Sequence, residues 1–472
     1  MPVPPETAFA SIVTLGKELR AGSFTAVELT EFFLHRLETI GKEYNAVVTV
    51  TAELAREQAK NADKELADGT DRGPLHGIPY GAKDLFNTQN YPTTWGADSH
   101  REQILDSDAM AIIKLRQAGA ILTAKLSMVA FAGGFGYSGP DSSFTGPCLN
   151  PWSKKHWAGG SSTGPGTAVG AGLCPFAIGT ETSGSIISPA ASCGVAGLRP
   201  TFGRVSRTGA MTLSWTLDKI GPLCHTAEDC GLVLKAIAGF DADDPSTISE
   251  EYHYPPEKKR EPPFRLAKIA GAVDHVLPEV KENFLQSLEV LKEVAVGGEI
   301  PEVSLPEFPY DAVVNTILHA ESSAALQEVV QQGTIWELPD PRMHLGAYST
   351  MFVPARDYIN ALRIRAKFQK ALDELFAQYD AVITPTFAMT SYPSDRPFRD
   401  YTEGRGLVHL NLRQPTNGAG LPAISIPNGF GEHHLPTGLQ FIGSRYEENR
   451  LLAIAEYYQG KTEWHLRRPE VG

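Results

Sequence analysis

The sequence predicts an α/β fold with helices surrounding a large central mixed, mostly parallel sheet. Residues 77–84 and 121–124 are short apolar, strand-like runs that bracket a helix-like segment from Ser107-Asp108 to Gly119. A strand, a helix and a strand at this spacing form a crossover unit of a largely parallel sheet. Later runs at 382–386, 423–427 and 438–442 are further buried strands, while long stretches between them carry apolar residues at helical spacing.

Residues 6–20 predict a first helix. Thr25-Ala26-Val27-Glu28 is a capping box that opens a second, whose apolar face is Leu29, Phe32, Phe33, Leu37 and Ile40. Residues 45–50 are short and β-branched, and 52–68 form a third helix, so 1–70 is a helical N-terminal portion. From 128 to 150 the chain is a glycine and aromatic loop; Phe131, Phe135, Tyr137 and Phe144 either line a substrate cavity or fill the core beneath it, and the sequence leaves both open. A helix follows at 228–240, with Leu232, Val233 and Ala236 at packing spacing. Residues 241–263, rich in Asp, Pro, Glu and Lys, read as an exposed connection. A strand is expected near 268–270. Helices at 278–294 and 358–379 fall in a more variable helical lobe over about 255–380, and 449–459 closes the chain as a helix. The polar stretch 401–417 is placed to cover an active-site mouth.

The chain has 472 residues, enough for two or three average domains or one large catalytic domain. Its formal charge of -13 argues against a basic nucleic-acid face. Five cysteines without a C-x-x-C pair or zinc spacing read as reduced thiols of a cytosolic protein. The histidines show no metal-binding arrangement, and His433-His434 reads as a solvated turn. There is no basic flank with a long apolar core at the start, and no apolar run suited to crossing a bilayer. The expected location is the cytoplasm.

The densest chemical signal is Gly159-Gly160-Ser161-Ser162-Thr163-Gly164-Pro165-Gly166, followed by an apolar run and then Gly179 to Ala190. A flexible linker has no need of the interleaved Ala, Val, Leu, Phe and Ile, so the stretch is read as a buried loop. Buried loop amides need partners, and amides outside a ladder are free to cradle an anion or oxyanion. Upstream, Lys83 lies in the mostly apolar run 75–86. Desolvation there favours a neutral, proton-accepting amine, while pairing with Asp84 is the structural alternative.

Lys83 in a G-I-P-x-x-x-K-D context, Gly159-Gly160-Ser161-Ser162 and Gly184-Ser185-Ile186 resemble the amidase signature family. Later marks agree, among them Gly194 to Thr201, Asp218 to Leu223, Ala419 to Pro427 and Gly438 to Gly443. The resemblance implies one amidase-signature-like domain over 1–472, with Ser185 as nucleophile, Ser161 as a bridging serine after a cis peptide, and Lys83 as base. It implies oxyanion donors at the amides of Thr182, Ser183, Gly184 and Ser185, with orienting hydroxyls from Thr182, Ser183 and Ser162.

This chain departs from the familiar G-T-D-x-G-G-S-I-R form at Glu181, Ser183 and Ile187-Ser188, where many relatives carry an arginine. Without that cation, the expected substrate is a neutral carboxylic amide, or an aryl ester or carbamate (urethane). Phe131, Phe135, Tyr137, Phe144 and Ile187 are the expected substrate-binding residues. A stand-alone hydrolase, monomeric or homodimeric, is expected, with a small-molecule substrate, no cofactor, no metal, no nucleic acid and no membrane. The alternative is the glutaminase component of a tRNA-dependent amidotransferase, which would need a partner carrying the RNA.

Overall fold

The computed structural model describes residues 3–471 except 142, 259, 404, 406 and 408–411. Thirteen strands are present among these: β1 (Val47–Val50), β2 (Pro79–Lys83), β3 (Ile121–Leu126), β4 (Leu149–Asn150), β5 (Ser153–Trp157), β6 (Phe176–Glu181), β7 (Ala196–Arg199), β8 (Lys219–Cys224), β9 (Leu266–Ile269), β10 (Glu302–Val303), β11 (Ala381–Pro385), β12 (Ala423–Phe430) and β13 (Pro436–Ile442). Eleven of them form one sheet in the order β1-β3-β2-β6-β8-β7-β12-β13-β11-β9-β10, and β4 pairs with β5 apart from it.

The fold is α/β, with a large mixed sheet surrounded by helices. It is not mostly parallel. Only β2 with β3, β2 with β6, β11 with β9, and β9 with β10 run parallel. The other six pairings of the large sheet are antiparallel. The predicted crossover through the helix Met110–Gln117 does make β2 and β3 parallel neighbours. Among the antiparallel pairs of the large sheet only β12 and β13 are joined by a short return, which needs just a few residues; the others bring together strands farther apart in the chain.

The N-terminal helices follow their local signals. Ser11 caps Ile12–Ala21, so the first predicted helix is divided, with a 3₁₀ turn at Pro5–Phe9. Thr25 and Glu28 form the expected reciprocal capping box at Ala26–Glu38. Residues 241–263 are less exposed than their composition suggests: Asp241 and Asp244 are buried and bind Ser206 and Arg207.

The Gly/Ser stretch is buried except for the half-buried Ser183 and Ser185, yet only part of it is loop. Thr163–Gly170 is a helix and Phe176–Glu181 is the strand β6. Glycine is a poor helix former, but packing overrides propensity here. A Cβ on Gly164 would lie 2.5 Å from the Ser127 amide nitrogen, so this helix sits closer to its neighbours than any larger residue permits. Residues 159–162 and 182–186 remain irregular and face each other, with the Ser162 amide donating to the Ser185 carbonyl at 3.3 Å.

Candidate active site

Lys83 ends β2, an interior strand between β3 and β6, and is fully buried. Its Nζ lies 2.8 Å from Ser161 Oγ and donates to Thr180 Oγ1 at 2.9 Å. Burial lowers its pKa to about 7, and the carboxylates of Asp218 and Glu181 oppose that shift only in part. Asp84, adjacent in sequence, is not its partner. Successive strand residues point to opposite faces, and Asp84 contacts the buried Lys125 Nζ at 2.9 Å and accepts from the Thr94 amide at 3.0 Å. Replacing Lys125 with Met leaves that carboxylate buried without its cation; a stability loss of about 3–5 kcal/mol is expected in a denaturant unfolding curve.

The peptide bond Gly160-Ser161 is cis, and Ser161 is buried. Ser185 is half-buried and opens on a cavity of about 350 Å³ together with Thr182 and Ser183. Gly184 between them has φ +93°, and a Cβ there would meet Arg413 Cδ at 2.8 Å, which makes glycine necessary at this bend.

The three hydroxyls expected to have an orienting role are hydrogen-bonded within the protein. Thr182 Oγ1 donates to Asp218 Oδ1 at 2.6 Å, Ser183 Oγ donates to Gln414 Oε1 at 2.7 Å, and Ser162 Oγ donates to the Thr180 carbonyl at 3.2 Å. These bonds tie the loop to its surroundings. The amides of Ile186 and Ile187 are taken by the Glu181 carboxylate at 2.9 and 3.1 Å. Those of Ser183, Gly184 and Ser185 have no acceptor among the described residues.

Glu181 is itself fully buried. Burial raises its pKa, but Arg199 and Lys219 outweigh that effect and hold it below the usual carboxylate range.

Of the five residues expected to bind substrate, the structure brings only Tyr137 to the cavity wall. Phe131 and Phe135 are core, stacked edge-on with each other and, for Phe131, with Trp95 and His100. Phe144 lies under the Arg101 guanidinium, 4.7 Å from its ring centre. Ile187 is buried in the helix Ile187–Cys193. The aromatic wall is completed by Trp157, Tyr392 and Phe398, which come from segments far apart in the chain.

The missing cation is also supplied from a distance. Arg413 and Arg342 both line the cavity. Arg413 sits at the start of the helix Arg413–Ala419, within the segment read from sequence as a cover. Part of that expected cover lies outside the described residues; 412–419 is mostly buried, and its Arg413 lines the cavity.

The sheet and the site it carries are those of an amidase-signature enzyme acting on carbon–nitrogen bonds. The chain belongs to the Amidase family, which it matches over residues 28–452. It is 36% identical over 486 residues to the A subunit of a glutamyl-tRNA(Gln) amidotransferase from Roseiflexus sp. (strain RS-1), with 96% of each chain covered. Among solved structures it resembles the peptide amidase of Stenotrophomonas maltophilia, with TM-score 0.84, 27% identity, and 99% of each chain covered. It also resembles the A subunit of the glutamyl-tRNA(Gln) amidotransferase from Thermotoga maritima, with TM-score 0.80, 26% identity and complete coverage of both chains.

These likenesses overturn the expectation of a stand-alone hydrolase for neutral amides, esters or carbamates with no nucleic-acid partner. The relatives matching at 34–36% identity over 96–98% of the chain carry the name of a subunit that serves a tRNA-dependent amidotransferase. The expectation failed because it rested on the absence of arginine at 187–188, and the fold delivers arginines to the cavity from 342 and 413. No helix among the described residues is long and apolar enough to cross a membrane.

Proposed function

We propose that this chain is the glutaminase component of an amidotransferase, which hydrolyses the side-chain amide of glutamine and supplies ammonia to a partner holding glutamyl-tRNA(Gln). The observation that carries the reading, beside the near full-length relatives, is Arg413. Its guanidinium lines the Ser185 cavity and makes no hydrogen bond or ion pair with a described residue. A guanidinium without a partner among the described residues, in a partly enclosed cavity, suits a carboxylate, because a planar fork of donors there gains more from an anionic partner than from a neutral one. The glutamine α-carboxylate is such a partner, and pairing it fixes which end of the substrate faces Ser185.

In this reading Lys83 is neutral and keeps one N–H on Thr180, so its lone pair faces the Ser161 hydroxyl. Ser185 attacks the amide carbon as its proton passes to Ser161 Oγ and the Ser161 proton passes to Lys83 Nζ. The amides of Ser183, Gly184 and Ser185 take the developing oxyanion. The intermediate collapses as the relay runs backwards and returns a proton to the departing nitrogen. Ammonia leaves, and water activated by the same relay releases glutamate from Ser185.

Replacing Arg413 with Ala is expected to raise KM for glutamine about 10- to 100-fold, the worth of a hydrogen bond to a charged group. Ammonia release by wild type and variant, each with and without the co-expressed partner subunits and glutamylated tRNA, tests this. Absence of glutamine turnover under all those conditions would sink the glutaminase reading.

A further inference from the structure

Glu181 occupies a position between two parts of the site that are remote in sequence. One carboxylate oxygen accepts the amides of Ile186 and Ile187, the two residues that follow Ser185. The other accepts from Arg199 Nη1 at 2.9 Å and from Asn417 Nδ2 at 3.0 Å. Asn417 belongs to the helix that begins at Arg413, and its Nδ2 also donates to the Arg413 carbonyl at 2.9 Å. A second link joins the same loop and helix through Ser183 and Gln414. Arg199 is held in turn by the Leu421 carbonyl at 3.0 Å, just beyond that helix. The carboxylate accepts four hydrogen bonds, two from the serine loop, one from Arg199 on β7 and one from the helix that begins at Arg413.

We infer that Glu181 is a positioning residue that sets the distance between Ser185 and the carboxylate-binding Arg413, and so selects for acyl chains whose anionic end reaches that arginine. The inference rests on the glutaminase reading for the identity of the natural substrate and on the geometry alone for the coupling. The familiar form of this motif has aspartate at 181 and arginine at 187. Here the glutamate pairs with Arg199 on β7, position 187 is a buried isoleucine, and the arginines at the cavity come from 342 and 413.

A glutamine at 181 can accept on one side only, since its other terminal atom is a donor facing donors. The Glu181→Gln variant should therefore lose either the loop or the helix contact. Asn417→Ala cuts the helix side while leaving the loop contact in place, and serves if Glu181→Gln does not fold.

The test compares rates of Ser185 labelling by two alkyl fluorophosphonates of equal length, one ending in a methyl group and one in a carboxylate. Wild type should prefer the carboxylate probe about tenfold. Both variants should reduce that preference to within about twofold, and Glu181→Gln should also slow the neutral probe by about tenfold or more. In glutamine assays, Asn417→Ala should raise KM more than it lowers kcat.

A merely structural role would lower Tm and leave the probe ratio as in wild type; an unchanged ratio in both variants overturns the inference, as does a wild type with no preference. Wild type that prefers the carboxylate probe yet leaves glutamine intact would remove the glutaminase reading alone.

Discussion

Replacing Ser185 with alanine is expected to abolish covalent labelling by an uncharged fluorophosphonate and to lower amide hydrolysis by ~10⁴- to 10⁶-fold, the range found when a serine-hydrolase triad member is removed. The cavity region contains several serines, and their surroundings separate them. Ser161 is spent on Lys83, Ser162 on the β6 backbone and Ser183 on Gln414. Ser185 combines access to the cavity with three unspent amides at its own turn, the pairing that an attacking oxygen and its oxyanion require. Because it is only half-buried, loss of its hydroxyl should change stability by no more than about 0.5 kcal/mol. Intact mass after labelling, with a denaturant curve on the same sample, decides the matter. A stoichiometric adduct on the alanine variant would move the nucleophile elsewhere, with Ser188 and Ser192 next in line on the cavity wall.

The parts of this molecule readable from sequence are those governed by local spacing. The capping box at Thr25 and Glu28 needs only four residues, and the β2–helix–β3 unit needs only the alternation of apolar runs with a helix. Lys83 and Ser161 are paired through the family motif, and they lie in contact.

What escaped was set by long-range packing. Thr163–Gly170 is helical against its composition because the surrounding backbone leaves room for nothing larger than hydrogen at Gly164. Sheet direction depends on which strands meet, and β12 joins β7 to β13 across more than two hundred residues of chain. The charge of the cavity was misjudged for the same reason. A search confined to the neighbourhood of Ser185 finds isoleucine and serine, whereas Arg413 arrives from the other end of the sequence. Its one local signal is the pair Arg413-Gln414 directly before the Pro415 to Pro427 stretch, a polar couple leading into an otherwise buried segment.

Replacing Lys83 with methionine is expected to lower acylation of Ser185 by about 10²- to 10⁴-fold, the usual contribution of a positioned general base. It should also change the dependence of both rate and stability on pH. With the buried amine at about 7, the wild-type acylation rate should climb tenfold per pH unit below that value and level above it, whereas an ordinary lysine would carry the rise toward ~10.4. The sign for stability follows from proton binding. Between about 7 and ~10.4 the unfolded chain holds a proton on this lysine that the folded chain does not, so its contribution to stability increases with pH across that window.

Below about 7 the folded protein must carry a buried ammonium, compensated only in part by Asp218 and Glu181, and the burial is at its most costly. Methionine has similar length and no charge to bury, so Lys83→Met should be at least as stable as wild type near pH 6 and should lose the pH-dependent increment above it. Pre-steady-state acylation and urea unfolding, each from pH 5.5 to 9.5, check the two halves separately. A rate that keeps rising past pH 9 would show an unperturbed lysine. A variant much less stable than wild type at pH 6 would show that Lys83 serves the fold, with its contacts to Ser161 and Thr180 structural rather than a path for the proton.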